Sequence, residues 1–381
     1  MSETVETPVA TKMPTEPGLL KRLRRPRITV IALLAVPIVL LYVPRMTTDV
    51  ALIGVLVVAF AFVMFGATWD LLSGYTGQVN FGHAAFIGGG AYTVALMSKY
   101  HPDVPGELAL VYATGGAALL GLLIGIPCLR LKGPYLALAT LTAASALVQL
   151  TFIYKEQLEA EDGISGVKGI DDASSLNSIG TNLSELVLGP KSFANKDGLS
   201  QQIYVNYFVL LVFMTLMVGG LMLLAYGKRG LVLRSIQQDE SAAEAAGVPV
   251  TRYKLVAFVL SAALAGLAGG LLAMVRSSVA LDLLAVDLSL LVIIIAAFGG
   301  VGSIIGPCVG AFIVILLQDF YLDKIHFFEE EPDLKLAAFA LLLLVVLIVQ
   351  PRGLMPPLLS KLAKKGSGTA AAGKALEGSS Q

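Results

Sequence analysis

Apolar residues gather in long runs along this chain, and short polar stretches part the runs. The first run, 28–43, follows Lys21, Arg22, Arg24, Arg25 and Arg27. It ends in Tyr42, Pro44 and Arg45 with no small-residue cleavage site, so it reads as an uncleaved span rather than a signal peptide. Further runs cover 50–72, 81–97, 108–128, 135–152, 204–226, 255–274 and 336–349. Two shorter ones, 288–298 and 304–318, are interrupted by Gly299, Gly300, Gly302, Gly306 and Pro307. The first of these is shorter than the ~20 residues a straight span needs, so the pair is expected as tilted helices or as a discontinuous helix pair. The stretch SGYTGQVN at 73–80 is too short for a loop and too polar for lipid. It is expected among other helices as a broken or re-entrant piece.

Charge then gives the runs a direction. Basic residues collect before the first run, at Arg130 and Lys132, at Lys228, Arg229, Arg234, Arg252 and Lys254, and at Arg352, Lys361, Lys364 and Lys365. The acidic loops, 154–202 and DKIHFFEEEPD at 323–333, fall on the opposite side. By the positive-inside rule this predicts an all-α, polytopic membrane protein of about ten spans, with both termini cytoplasmic. The domain reading is a disordered basic N-terminus at 1–27, a membrane domain at 28–357 and a disordered tail at 358–381. Within the membrane domain, 154–203 is an external loop and 227–254 a cytoplasmic one. Thr140, Thr142, Ser145 and Gln149 lie in the fifth run and are expected to face other helices rather than lipid. AALAGLAGGLLA in the run 255–274 should permit close helix approach.

The composition agrees. Of 381 residues, 56% are hydrophobic and only 14% charged, far below the roughly quarter charged of a soluble domain. A formal net charge of +0 gives no case for nucleic-acid binding. Cys128 and Cys308 both lie in apolar runs and read as packing residues. There is no GxxxxGK[ST], HExxH or nucleophile elbow, and GGVGSIIG lacks the lysine of a phosphate loop. The chain is therefore expected to be no enzyme and to hold no cofactor or metal. Any ATP would be hydrolysed by another subunit.

The cytoplasmic loop 227–254 reads as a short helix, about 235–247. Ser235 caps it with Gln238 three residues on, Asp239 and Glu240 sit in its first turns, and Gly247 and Pro249 end it. Ala242, Ala243, Ala245 and Ala246 leave one face thin, with Glu244 and Arg252 at the rim. Such a helix suits a groove on a partner; an ordinary solvated loop helix is the alternative. For a solute path the broken segments are the candidates: Ser73, Thr76, Gln78, Asn80 and His83 from one, Gly299, Gly300, Gly302 and Ser303 from the other. Backbone N–H groups at half-helix starts there could meet a carboxylate. His83 also reads as a packing histidine, and the glycines as helix-contact positions. Asp70, near the inner boundary, reads as a solvated carboxylate. The segments 77–92 and 302–314 share a rhythm of glycine, small and apolar residues, the pattern of a weak internal repeat.

Five strings, in order, resemble one family. They are GYTGQVNFGHAAFIGGGAY at 74–92, CLRLKGPYLALATL at 128–141, LRSIQQDESAAEAAGVPVTRYKLVAFVLSAALAGLAGGLLA at 233–273, GGVGSIIGPCVGA at 299–311 and PRGL at 351–354. They are similar to the permease subunits of ATP-binding-cassette importers for branched-chain amino acids, the LivM type of the LivH/LivM superfamily. The likeness covers about 28–357. Asp239 stands where that family commonly has Asn, and Trp69-Asp70 replaces a more usual Leu-Asn pair.

The resemblance implies a multi-pass plasma (inner) membrane permease subunit working by alternating access. Its implied partners are a second, LivH-like permease, two cytoplasmic ATPase subunits carrying ATP-Mg, an extracytoplasmic substrate-binding protein and membrane lipids. It also implies an ATPase-coupling role for Arg234, Ser235, Asp239, Glu240, Glu244, Ala245, Gly247 and Arg252. Rival readings are the same architecture carrying urea, short amides or aromatic acids, and a secondary transporter independent of ATP. The latter needs charged residues deep in its spans, and the run centres hold almost none.

Overall fold

The computed structural model describes residues 26–47, 49–131, 133–154 and 163–321, together with 348 and 353. The expected tails, the acidic loop 323–333 and nearly all of the run 336–349 lie outside these residues.

Thirteen α-helices are found among the described residues: α1 Pro26–Met46, α2 Val50–Thr76, α3 His83–Tyr100, α4 Gly106–Cys128, α5 Pro134–Ile153, α6 Ser174–Leu188, α7 Pro190–Ala194, α8 Gly198–Tyr226, α9 Lys228–Gln238, α10 Glu240–Ala245, α11 Val250–Arg276, α12 Val286–Gly299 and α13 Ile305–Leu316. Their ends follow local chemistry. The Asp49 carboxylate accepts from the Ala51 and Leu52 amides to start α2, and Gly77, at φ +73°, ends it. Pro134 opens α5 after Gly133, and Asp197 caps α8 by accepting from the Ser200 amide.

Among the described residues, five helices, α2, α4, α5, α8 and α11, are long and apolar enough to cross a membrane; the later part of α1, α12 and α13 are apolar but shorter. This is a multi-pass integral membrane protein. In the apolar stretch of α2, 67% of residues are buried, against 28% in α5, so α2 is the central post and α5 an outer one. Around α2 pack α8, α11 and α13. The small residues of α11 allow the close approach expected of them. A Cβ on Gly90 of α3 would lie 2.5 Å from the Gly266 Cα of α11, and one on Gly269 would lie 2.8 Å from the Ile87 carbonyl carbon. Backbone touches backbone along this seam, and only glycine fits.

One expectation changes: helix α8 begins at Gly198 rather than at 204, because Asp197 provides its cap. The segment 154–203 carries local structure, α6 and α7. The described residues are mostly helical, with one two-residue antiparallel ladder besides, in which β1 Ile164–Ser165 pairs with β2 Ser278–Val279. That ladder ties the segment after α5 to the end of α11. Lys168 adds a second tie, its ammonium donating to the Pro102 and Val104 carbonyls at the α3–α4 turn.

Candidate functional site

Both glycine-broken stretches border the last turns of α2. Helix α2 runs through Ser73 and Thr76 before Gly77 stops it, so the first break is the shorter stretch from Gly77 to Gly82. The second break, Gly300 to Ile304, joins α12 to α13. The second break touches α2 at Gly74, where a Cβ would stand 2.7 Å from the Gly302 nitrogen.

Asp70 holds this junction. It is fully buried, not solvated as its place near the boundary suggested. Its Oδ1 accepts from the Gly302 amide at 2.6 Å and its Oδ2 from the Ile304 amide at 2.8 Å. The carboxylate thus caps amides that the helix break leaves without helical partners. It also holds an awkward backbone: Gly300 is at φ +109°, Gly302 at +83° and Ile304 at +54°. For a β-branched residue such a φ costs about 1–3 kcal/mol, and neighbouring contacts must enforce it. Ser303 closes the loop from within, donating to the Gly300 carbonyl and accepting from the Gly306 amide. Gly299 and Gly300 are buried, Gly302 and Ser303 half-buried. Gly353, from the PRGL string, reaches the same loop, since a Cβ there would lie 2.6 Å from the Gly300 Cα.

The other predicted residues form a second polar group on the far side of the α2 end. Ser73 Oγ accepts from the Asn80 amide, Trp69 Nε1 donates to the Asn80 carbonyl, and Asn80 Oδ1 accepts from the Gly82 amide. Thr76 turns back to the Leu72 carbonyl, and its hydroxyl accepts from the Gln78 amide. His83 Nε2 lies 3.1 Å from Thr68 Oγ1. The Thr68 proton already points at the Met64 and Phe65 carbonyls, so His83 Nε2 is the donor and Nδ1 the free lone pair. Asn80 Nδ2 and His83 Nδ1 are buried without a hydrogen-bond partner among the described residues. Two further hydroxyls converge here that the sequence did not single out for this role: Ser289 accepts from the Ala84 amide, and Thr140 from the Phe81 amide.

The loop 227–254 departs from the expected single helix. Ser235 lies inside α9, its hydroxyl donating to the Val232 carbonyl, so it caps nothing. The break comes at Asp239, which takes an extended conformation and caps α10 by accepting from the Ala242 amide. A short polar side chain competes with the helix for backbone donors and wins there. Gly247, at φ +83°, ends α10 with Val248 N–H donating to the Ala243 carbonyl.

Both helices of this arm have an exposed face and an inward one. Ser235, Glu244, Ala245, Gly247 and Arg252 are exposed, and so is Asp239. Glu240 turns inward to Lys254, which is 4% exposed, at 2.6 Å. Arg234 also turns inward, its Nη2 donating to Tyr75 Oη at 3.0 Å and to the Gly302 carbonyl at 3.3 Å. Ile236, Ala243 and Val250 form a small buried cluster that binds α9, α10 and the start of α11 together.

The family model described as "Branched-chain amino acid transport system / permease component" matches residues 51–349. The chain belongs to that permease family. It is 28% identical to the high-affinity branched-chain amino acid transport system permease protein LivM of Escherichia coli (strain K12) over 320 residues, 82% of this chain and 71% of the relative. Likeness to the LivM protein of Salmonella typhimurium is 28% over 301 residues, 77% of this chain and 68% of that one. The probable permease protein LivH of Methanocaldococcus jannaschii is 31% identical over 221 residues, 53% of this permease and 68% of its own length. No solved structure matches. The matched residues include both helix breaks, Asp70 and the whole α9–α10 arm of the permease.

Proposed function

We propose that this chain is one permease subunit of an ATP-binding-cassette importer that moves branched-chain or related hydrophobic amino acids across the plasma membrane. The observation that carries this reading is the family match over 51–349, joined to the names its curated relatives bear. About ten spans with both termini cytoplasmic complete the membrane domain. A second permease of related architecture pairs with it, a pairing supported by the likeness to both LivM-named and LivH-named proteins. Two cytoplasmic ATPases bind and hydrolyse ATP-Mg, and an extracytoplasmic protein delivers the solute.

The α10 helix is the contact offered to an ATPase. Its exposed Ala242, Glu244 and Ala245 make a thin face, and Arg252 stands beyond it. Displacement of α10 passes to α11 through the Glu240–Lys254 pair and the Ile236, Ala243 and Val250 cluster. Helix α11 carries it on to α3, which meets α11 backbone to backbone at Gly90 and Gly266. The start of α3 is where Asn80 Nδ2 and His83 Nδ1 lie buried without partners, which supports a polar stretch of the path there. The α3 N-terminus would favour the carboxylate of an amino acid. Ser73, Thr76 and Gln78 extend that stretch, and Gly299, Gly300, Gly302 and Ser303 form the opposing wall. Transport follows only if the two facing states bind the solute differently.

The test is mild-detergent purification from the native host, followed by reconstitution. ATPase subunits are expected to copurify, and labelled leucine is expected to enter vesicles only with ATP and binding protein. A chain that purifies alone and moves solute without ATP overturns the reading, and uptake of urea in place of leucine overturns the cargo.

A further inference from the structure

Arg234 joins three elements, α9, α2 and the loop between α12 and α13. It belongs to α9, a helix of the cytoplasmic arm, yet its guanidinium reaches the membrane domain. There it donates to Tyr75 Oη near the end of α2 and to the Gly302 carbonyl in the second break. Its Cζ also stands 4.7 Å from the centroid of the Tyr75 ring, a cation–π contact with a side chain only 1% exposed. One helical turn on, Gln237 Nε2 donates to the Gly74 carbonyl at 2.7 Å, so α9 is registered on α2 at two points.

Gly302 is consequently held through both of its backbone groups. Asp70 of α2 takes its N–H, and Arg234 of α9 gives a proton to its carbonyl. A planar guanidinium can serve Tyr75 and Gly302 at once, which an ammonium on a flexible stem does less well. The loop so held carries positive φ at Gly300, Gly302 and Ile304. Such a backbone persists only while its neighbours enforce it. Hydrogen bonds at 3.0 and 3.3 Å do not survive a helix shift of 1–2 Å, the size of many switching movements.

We infer that Arg234 is a positioning residue that latches the loop between α12 and α13 to the cytoplasmic arm, so that movement of the arm frees the loop. This rests on the importer reading above. It adds a second route to the one through Lys254 and α11, running straight from α9 to the end of α2 and the loop between α12 and α13. The bonds are made in the arrangement described and broken when α9 moves off α2.

The experiment uses the reconstituted complex with its own ATPases and binding protein, and reads leucine taken up per ATP hydrolysed. R234Q is expected to copurify with the ATPases as the parent does, while uptake per ATP falls at least tenfold. Arg234→Lys, which keeps the charge and one bond, is expected to recover part of the loss. A purely structural role would lower uptake and hydrolysis together and leave their ratio alone. An unchanged ratio in R234Q therefore overturns the inference, as does loss of copurification, which would make Arg234 a docking residue instead.

A second measurement needs no variant. Deuterium exchange at 300–306 in the parent complex is expected to quicken at least fivefold when a non-hydrolysable ATP analogue closes the ATPases. Identical exchange in the two states overturns the latch even if R234Q fails to fold. A parent chain found without ATPases overturns the importer reading, and this inference with it, before any variant is made.

Discussion

Replacing Asp70 by Asn tests how the junction is held. Both carboxylate oxygens accept from backbone amides, Gly302 at 2.6 Å and Ile304 at 2.8 Å, on a side chain that is fully buried. An amide side chain of the same shape keeps one acceptor and presents its NH2 group to the other N–H. A hydrogen bond to a charged group is worth about 1.5–3 kcal/mol, and a buried donor left unpaired adds about 1–3 kcal/mol. Relief from burying a charge works the other way. The net local loss is expected at about 2 kcal/mol for Asn. For Ala, which removes both acceptors, it is expected at about 4 kcal/mol or more.

Deuterium exchange followed by mass spectrometry on the peptide spanning 300–306 reads this directly. Local opening that is easier by about 2 kcal/mol speeds exchange roughly 30-fold. The peptide at 163–170, whose ladder and Lys168 ties do not involve Asp70, serves as the unchanged control. Exchange at 300–306 within twofold of the parent in D70N would refute the claim that the carboxylate enforces the loop.

Two further substitutions probe the rest of the frame. Gly90→Ala puts a Cβ 2.5 Å from the Gly266 Cα, so α3 and α11 must part; a loss near the upper end of the usual 1–3 kcal/mol for overpacking is expected. Size-exclusion chromatography after stepwise heating measures it, and a melting profile equal to the parent's contradicts the seam. E240Q leaves the Lys254 ammonium without its acid. Because Glu240 is 29% exposed, the cost is expected at about 1–3 kcal/mol rather than the 3–5 of a fully buried pair. Faster exchange over 240–246 should follow, and Lys254→Met in the same chain should reverse much of it; no reversal would show that the pair is not what holds α10.

Much of the architecture was legible because its causes are local. Transfer of an apolar run into a bilayer depends on that run alone, so the helices from Val50, Gly106, Pro134 and Val250 lie close to the predicted runs. Ends set by a neighbouring residue, such as Gly77 or Pro134 after Gly133, are local too. The ordered strings from Gly74 to Leu354 pointed to the family for the same reason.

What failed to show in the sequence depends on distant partners. Ser235 and Gln238 satisfy the pattern of a helix start, but Asp239, one residue on from Gln238, takes the cap, and α9 instead turns Arg234 and Gln237 onto α2. Asp70 is the sole acid of α2, and its place near the inner boundary read as solvated, whereas it is fully buried. Its partners lie 232 and 234 residues away, and nothing in either segment specifies the other. The sequence by itself determined where the long apolar helices run and that glycines interrupt the chain near 77 and 300. Only the tertiary structure decided which carboxylate and which guanidinium hold the break, because that follows from the meeting of α2, α9 and the α12–α13 loop.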